Sequence, residues 1–395
     1  MKTALPLCIA LLLGLPAQPA PAEPYTPQRD EELVERLPQR LGSAAQRAES
    51  RLLRARLQQA PENLPLALQL AREAIARARL QGDPRELGQA QALLAPWWSA
   101  APPPVRLLRA TIRQAQHDFG PALLELDGLL ATPGVPLPLQ AQAELTRAAV
   151  LQVRGRWREA RLGCTRLAGP HYAALGAAAR LHGEVCIAEL DGLQGRTEQA
   201  EAALLRLSAL PGAPQAWIAL LRAELAERRG RAEAGPLYRQ ALQANPEIYP
   251  RVAYADWLLR QRRWRDAAHV VLGFGEAGNL PDALLLRLAI AWKQAADPRA
   301  GAAAAELQAR FDAAAERGDD SHGRERARFA LDLRPEPGIA LAQAQANWAL
   351  QKEPADALLL QRAALTAGQP AAAEPLRQFQ RETGFADRRL AERAR

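Results

Sequence analysis

The residues with chemistry to offer are few and mostly isolated. Gly273-Phe274-Gly275-Glu276-Ala277-Gly278 has the G-x-G-x-x-G spacing that lets a backbone approach a pyrophosphate. It follows Val270-Val271-Leu272, and Asp297 lies 19 residues beyond its last glycine. That chemistry requires a strand before the glycines, inside a βαβ unit. The five histidines, His117, His171, His182, His269 and His322, form no H-E-x-x-H or other ligand spacing. His322 follows Asp319-Asp320-Ser321, where Asp320 or Ser321 reads better as a helix N-cap than as part of a metal site. No nucleophile elbow or phosphate-binding loop of the Walker type appears. Only five serines follow residue 22, all in ordinary settings, so nucleophilic serine chemistry has no support. The expectation is a non-enzymatic chain with no catalytic, metal or cofactor-binding residues.

What positions these residues is a repeat. Prolines recur at Pro61, Pro96, Pro133, Pro170, Pro211, Pro246, Pro281 and Pro354, in steps of 35, 37, 37, 41, 35, 35 and 73 residues. Periodicity of this length marks stacked units rather than one folded core. Val and Ile together number only 17 of 395 residues, whereas Ala, Leu, Arg, Gln and Glu, the strongest helix formers, dominate. The chain reads as all-α. Its clearest unit runs from Gln215 to Glu247. Ile218, Leu221 and Leu225 form one apolar stripe, Gly230 breaks the helix, and Ala234, Tyr238 and Ala241 face inward from a second helix. Asn245-Pro246 ends that helix.

Leu221, Leu225, Gly230, Ala234, Tyr238, Ala241 and Pro246 together resemble the tetratricopeptide repeat. Phe329, Ala330, Leu333, Ala342, Ala346, Ala349 and Pro354 resemble a second such unit, with Ala346 where a larger residue is usual. Inner turns recur at Gly155 to Ala160, Gly195 to Ala200 and Arg262 to Ala267. The resemblance covers most of the chain and implies a right-handed superhelical solenoid of about nine helix pairs across residues 43–395, with a lone helix from Ser43 to Ala60 as half a unit. It places Trp264 to Leu272 on a second helix, so Gly273 to Gly278 reads as a turn. It further implies that a partner segment binds along a concave face.

Three expectations follow from that register. Cys164 and Cys186 fall on neighbouring helices, which allows either a disulfide in an oxidising compartment or two small buried thiols. Trp257 leaves its helix's packing positions to Val252, Ala255 and Leu259, so it is expected to face the groove beside Arg260. Lys293, Arg324 and Arg334 would extend a cationic row suited to an acidic partner; the bland alternative is a solvated arginine-rich face. Arg154, Arg156, Arg158, Arg228, Arg229, Arg231, Arg260, Arg262, Arg263 and Arg265 gather at successive inner turns, giving a basic edge able to meet an anionic lipid or polysaccharide.

The first residues read as an export signal: Lys2, an apolar stretch from Leu5 to Leu15, and Ala20-Pro21-Ala22 before a cleavage point at Glu23. Residues 23–42 read as an extended arm. The formal charge is +8, or +7 without Lys2, and 48 of the 51 basic residues are Arg. No later stretch is apolar enough to span a bilayer. The combined expectation is a periplasmic or secreted scaffold or adaptor of the bacterial cell envelope, with a protein or peptide partner and no nucleic acid. The alternative is a solenoid that holds an anionic polymer along its basic edge. Oligomeric state is not legible.

Overall fold

The computed structural model describes Arg29, Glu31 and residues 44–316 and 323–391. The stretch expected to be a signal, nearly all of the expected arm, and the acidic stretch ending at His322 lie outside the described residues. The helices belong to one compact unit, Pro38–Arg395, and no strand occurs among the described residues. The glycine fingerprint therefore has no strand before it: it follows the helix Trp264–Leu272 and leads into a short 3₁₀ turn, Ala277–Asn279.

After α1 (Ala44–Gln59), nine helix pairs follow among the described residues. They are α2 (Leu64–Gln81) with α3 (Arg85–Leu93), α4 (Pro103–Ala115) with α5 (Phe119–Leu130), and α6 (Leu137–Val153) with α7 (Trp157–Ala168). Next come α8 (Ala177–Leu193) with α9 (Thr197–Ser208), α10 (Gln215–Arg228) with α11 (Ala234–Ala244), and α12 (Ile248–Arg260) with α13 (Trp264–Leu272). The last are α14 (Asp282–Gln294) with α15 (Ala300–Glu316), α16 (Gly323–Asp332) with α17 (Pro337–Leu350), and α18 (Pro354–Thr366) with α19 (Glu374–Thr383). Pair members pack on each other, and each first helix touches the first helix of the next pair.

The inner turns share one backbone device. A residue in the left-handed region ends the first helix, and the next N–H reaches five positions back, the Schellman arrangement. Arg156 N donates to Leu151 O at 2.8 Å, Arg196 N to Asp191 O at 2.9 Å and Arg231 N to Ala226 O at 2.9 Å. Gly155, Gly195 and Gly230 take the left-handed position in these three turns, where the absence of a Cβ removes the steric cost. His117, Arg262 and Ala296 take it elsewhere, at φ 62°, 57° and 54°.

In the clearest unit Ile218, Leu221, Leu225, Ala234, Tyr238 and Ala241 are all buried. In α17 the expected register is wrong. Ala342, Ala346 and Ala349 are exposed, while Ala340, Leu341, Ala344 and Trp348 are buried. The bulky Leu341 and Trp348, seven residues apart, take the core face and turn the intervening alanines outward.

The pairs also meet far from their neighbours. Lys352 N donates to Val153 O at 2.7 Å, Ala386 N to Leu193 O at 3.0 Å and Gln194 Nε2 to Thr383 O at 2.8 Å. A Cβ on Gly82 would fall 2.6 Å from Ile248 Cδ1, so the turn after α2 presses on the start of α12. Trp157 lies edge-on to Phe379 (centroids 5.0 Å) and to Phe385 (5.7 Å), and Trp348 edge-on to Phe379 (5.4 Å). An aromatic cluster thus joins the third pair to the eighth and ninth. A stack held only by neighbouring units would have none of these contacts.

Candidate functional site

Two of the first helices are buried on every side over part of their length. In α14 each residue from Leu284 to Trp292 is buried, including Arg287. In α12, Tyr254 to Leu259 are buried. This overturns the expected placement of Trp257. Its ring is 9% exposed, lies 6.1 Å from Tyr254 and 6.4 Å from Tyr238, and leaves no room for a Cβ on Gly235. The sequence argument assumed one free face, but α12 is enclosed by α10, α11, α13 and α14. The cation above the Trp257 ring is Arg263, at 5.8 Å, rather than Arg260.

The expected cationic row is largely engaged within the chain. Arg260 Nε donates to Glu227 at 2.7 Å. Lys293 Nζ donates to the carbonyls of Asp332 and Leu333 at 2.9 and 3.1 Å, capping α16. Arg324 grips Asp356 through Nε and Nη2 at 2.6 and 2.9 Å, and also meets Glu353. Burial opposes the Arg324 charge, but the facing carboxylates outweigh it and push its pKa well up. Arg260, Lys293 and Arg334 are exposed, and the Arg334 guanidinium lies 5.6 Å from the Phe329 ring. Cys164 on α7 and Cys186 on α8 are joined, with sulfurs 2.00 Å and Cα atoms 5.7 Å apart.

The structure brings together a row of acids that the sequence reading passed over. Glu189, Glu224 and Asp256 each stand six residues before a left-handed turn residue, Gly195, Gly230 and Arg262. One turn position thus sets one inward-facing register on α8, α10 and α12. Their signal is in the sequence: Ala188-Glu189-Leu190, Ala223-Glu224-Leu225 and Ala255-Asp256-Trp257 recur at repeat spacing.

Their partners differ sharply. Asp256 accepts from Arg287 Nε and Nη2 at 3.1 and 3.0 Å, and Arg328 adds a third donor. Burial alone would raise its pKa, but the two guanidiniums hold it far below the usual carboxylate range. Glu224 accepts from Tyr249 Oη at 3.1 Å, and its nearest cation, Arg228, is 4.0 Å away. Burial prevails there and raises the carboxyl. Glu189 accepts from the neutral Gln152 amide at 2.6 Å. Burial drives its carboxyl up to about 7, helped by Glu224 and Glu353 and opposed by Gln152 and Arg228.

The surface around this row remains open to water although it lies deep. Tyr249 keeps 49% of its surface exposed, and Arg362, bound to Asp332, keeps 42% of its side chain. The Glu224 charge and burial together push the Tyr249 hydroxyl pKa well up. Burial, with Arg328 close by, brings Arg362 down to about 10.

The outer edge of turns is less uniformly basic than its composition suggests. Arg156 pairs with Glu159, Arg229 with Glu198 and Glu201, and Arg263 with Asp266, while Arg154 donates to Leu350 O at 2.7 Å. Arg228 is buried. Arg158, Arg231, Arg262 and Arg265 are exposed and make no ion pair among the described residues. A surface cleft of about 350 Å³ lies between Arg262, Arg263, Trp264, Arg265, Asp266 and Ala295. Among the described residues no group of three or more His, Cys, Asp and Glu could hold a metal, and no helix is long and apolar enough to cross a membrane. No family model matches this chain, and no curated protein matches it.

Proposed function

We propose that this chain is a non-enzymatic interaction scaffold or adaptor of the bacterial cell envelope, exported by its N-terminal signal and built from tetratricopeptide-like pairs. The observation that carries the reading is Tyr249, half exposed while its hydroxyl donates to Glu224 on an inner helix, and we take it as the edge of a concave surface. Concave surfaces of this kind hold a partner by shape and a few polar groups. A partner segment would enter where Tyr249 is half exposed. It would not be recognised by Trp257, which is spent on the core. Crosslinking in intact cells from a photoreactive residue at position 249 tests this. A single recurrent protein adduct supports the reading, and its absence, with the same probe at Arg158 giving none either, counts against a protein partner.

A second reading is favoured by the Arg262 cleft. Four exposed arginines that make no ion pair among the described residues, spread over three inner turns, suit an anionic polymer. Binding to a sulfated polysaccharide that collapses as salt rises would favour it, because exposed charges are screened beyond about 10 Å at 0.1 M ionic strength.

A further inference from the structure

The inner acid row ends in a group of charges that does not satisfy itself. Arg228 is 5% exposed, yet none of its five donors has a hydrogen-bond acceptor among the described residues, and its Nε is fully shielded. Its closest carboxylate, Glu224, is 4.0 Å away, beyond hydrogen-bond reach. Its Nη2 lies 3.4 Å from where a Cβ on Gly192 would stand, and Gly192 follows Glu189 by three residues on the same face of α8. The guanidinium therefore sits between the Glu224 and Glu189 faces. Glu189 itself meets only the neutral amide of Gln152.

A buried, unbonded guanidinium needs an anionic or carbonyl acceptor, because a shielded donor without a partner is costly. Two carboxylates without a bonded cation need an ammonium or similar donor. One ligand answers both demands. We propose that Glu189, Glu224 and Arg228 form a binding site for a small zwitterion, whose ammonium is held by the two carboxylates and whose carboxylate is held by Arg228. Tyr249, bonded to Glu224 and half exposed, forms the mouth of the site. Gly192 leaves the space that the guanidinium occupies. The proposal goes beyond the scaffold reading and does not depend on it.

Calorimetric titration of the full chain at pH 8 tests it, with glycine, β-alanine and γ-aminobutyrate as zwitterions of increasing charge separation, and methylamine and acetate as single-charge controls. At least one zwitterion should bind at least tenfold more tightly than either control. Glu189→Gln and Glu224→Gln should each weaken that binding at least tenfold without lowering the melting temperature. Arg228→Gln should do the same, and if it fails to fold, the two glutamine variants still decide. The proposal is overturned if no zwitterion binds at millimolar concentration, if methylamine binds as tightly as the zwitterions, or if both glutamate variants bind unchanged.

Discussion

The Gln152 amide of α6 lies 2.6 Å from the Glu189 carboxylate of α8, giving a deeply placed acid a neutral partner. Two positions along the same row, Asp256 has two guanidiniums. Identical register on successive helices thus produces opposite electrostatics, because the facing residue changes from Gln to Arg.

Stability should register that contrast through pH. The Glu189 carboxyl is raised from 4.5 to about 7 in the folded chain. Folded protein therefore holds the proton more tightly than unfolded protein, and this group's contribution falls as pH rises from 4.5 to 7. Glu189→Gln should match the parent near pH 4 and exceed it at pH 8 by up to about 3 kcal/mol. Urea unfolding across that range measures it. A difference that stays constant with pH would contradict the assignment.

Asp256→Asn should behave in the opposite sense. It leaves Arg287, which is 2% exposed, without its main counter-charge, so a loss of about 3–5 kcal/mol is expected at pH 7. Because the Asp256 carboxyl is held below its usual range, the contribution it makes is present above pH 3.8 and declines as pH falls below that. The gap between variant and parent should therefore narrow in acid. Replacing both members, Asp256→Leu with Arg287→Met, should recover most of the loss.

Removing the chain from Gly384 onward tests closure. Phe385, Ala386 and Arg389 contact Trp157, Leu193 and Glu227, each far away in sequence. Hydrogen exchange should accelerate at residues 152–156, 192–196 and 227–231 while α2 is little changed. Acceleration confined to α18 and α19 would mean that each pair depends only on its neighbours.

Arg262 offers a separation of strain from binding. At φ 57° it holds the position that glycine takes in three other turns. Arg262→Gly should raise stability by roughly 0.5–1 kcal/mol. The same change should reduce affinity for a sulfated polysaccharide and flatten its salt dependence. Unchanged affinity would remove this cleft from the second functional reading.

The helix pairing was legible because its signals are local. Proline after most second helices, a left-handed residue after the first, and apolar spacing of three and four depend on near neighbours alone. The interior was not, because it depends on residues five pairs apart. Trp257 looked free since the packing positions of α12 were already filled; nothing nearby in the sequence says that α14 covers the remaining face. Arg260, Lys293 and Arg324 read as an available row because Glu227, the Asp332 carbonyl and Asp356 lie 32 to 39 residues away. The α17 register failed for a different reason: its many alanines give several equivalent stripes, and only Leu341 and Trp348 discriminate among them.

The bond from Lys352 to Val153 also bears on how such a chain can change in length. An open array gains or loses a pair at small cost, since every junction is alike. Here the pairs between α7 and α18 act like staves between two fixed hoops. Deleting one would displace Lys352 from Val153, and Phe379 from Trp157, by about one interhelical spacing, roughly 8–10 Å. The count of units is thereby held constant, and the turn after α2, which presses on α12, extends that constraint to the earlier pairs, while substitution remains open everywhere.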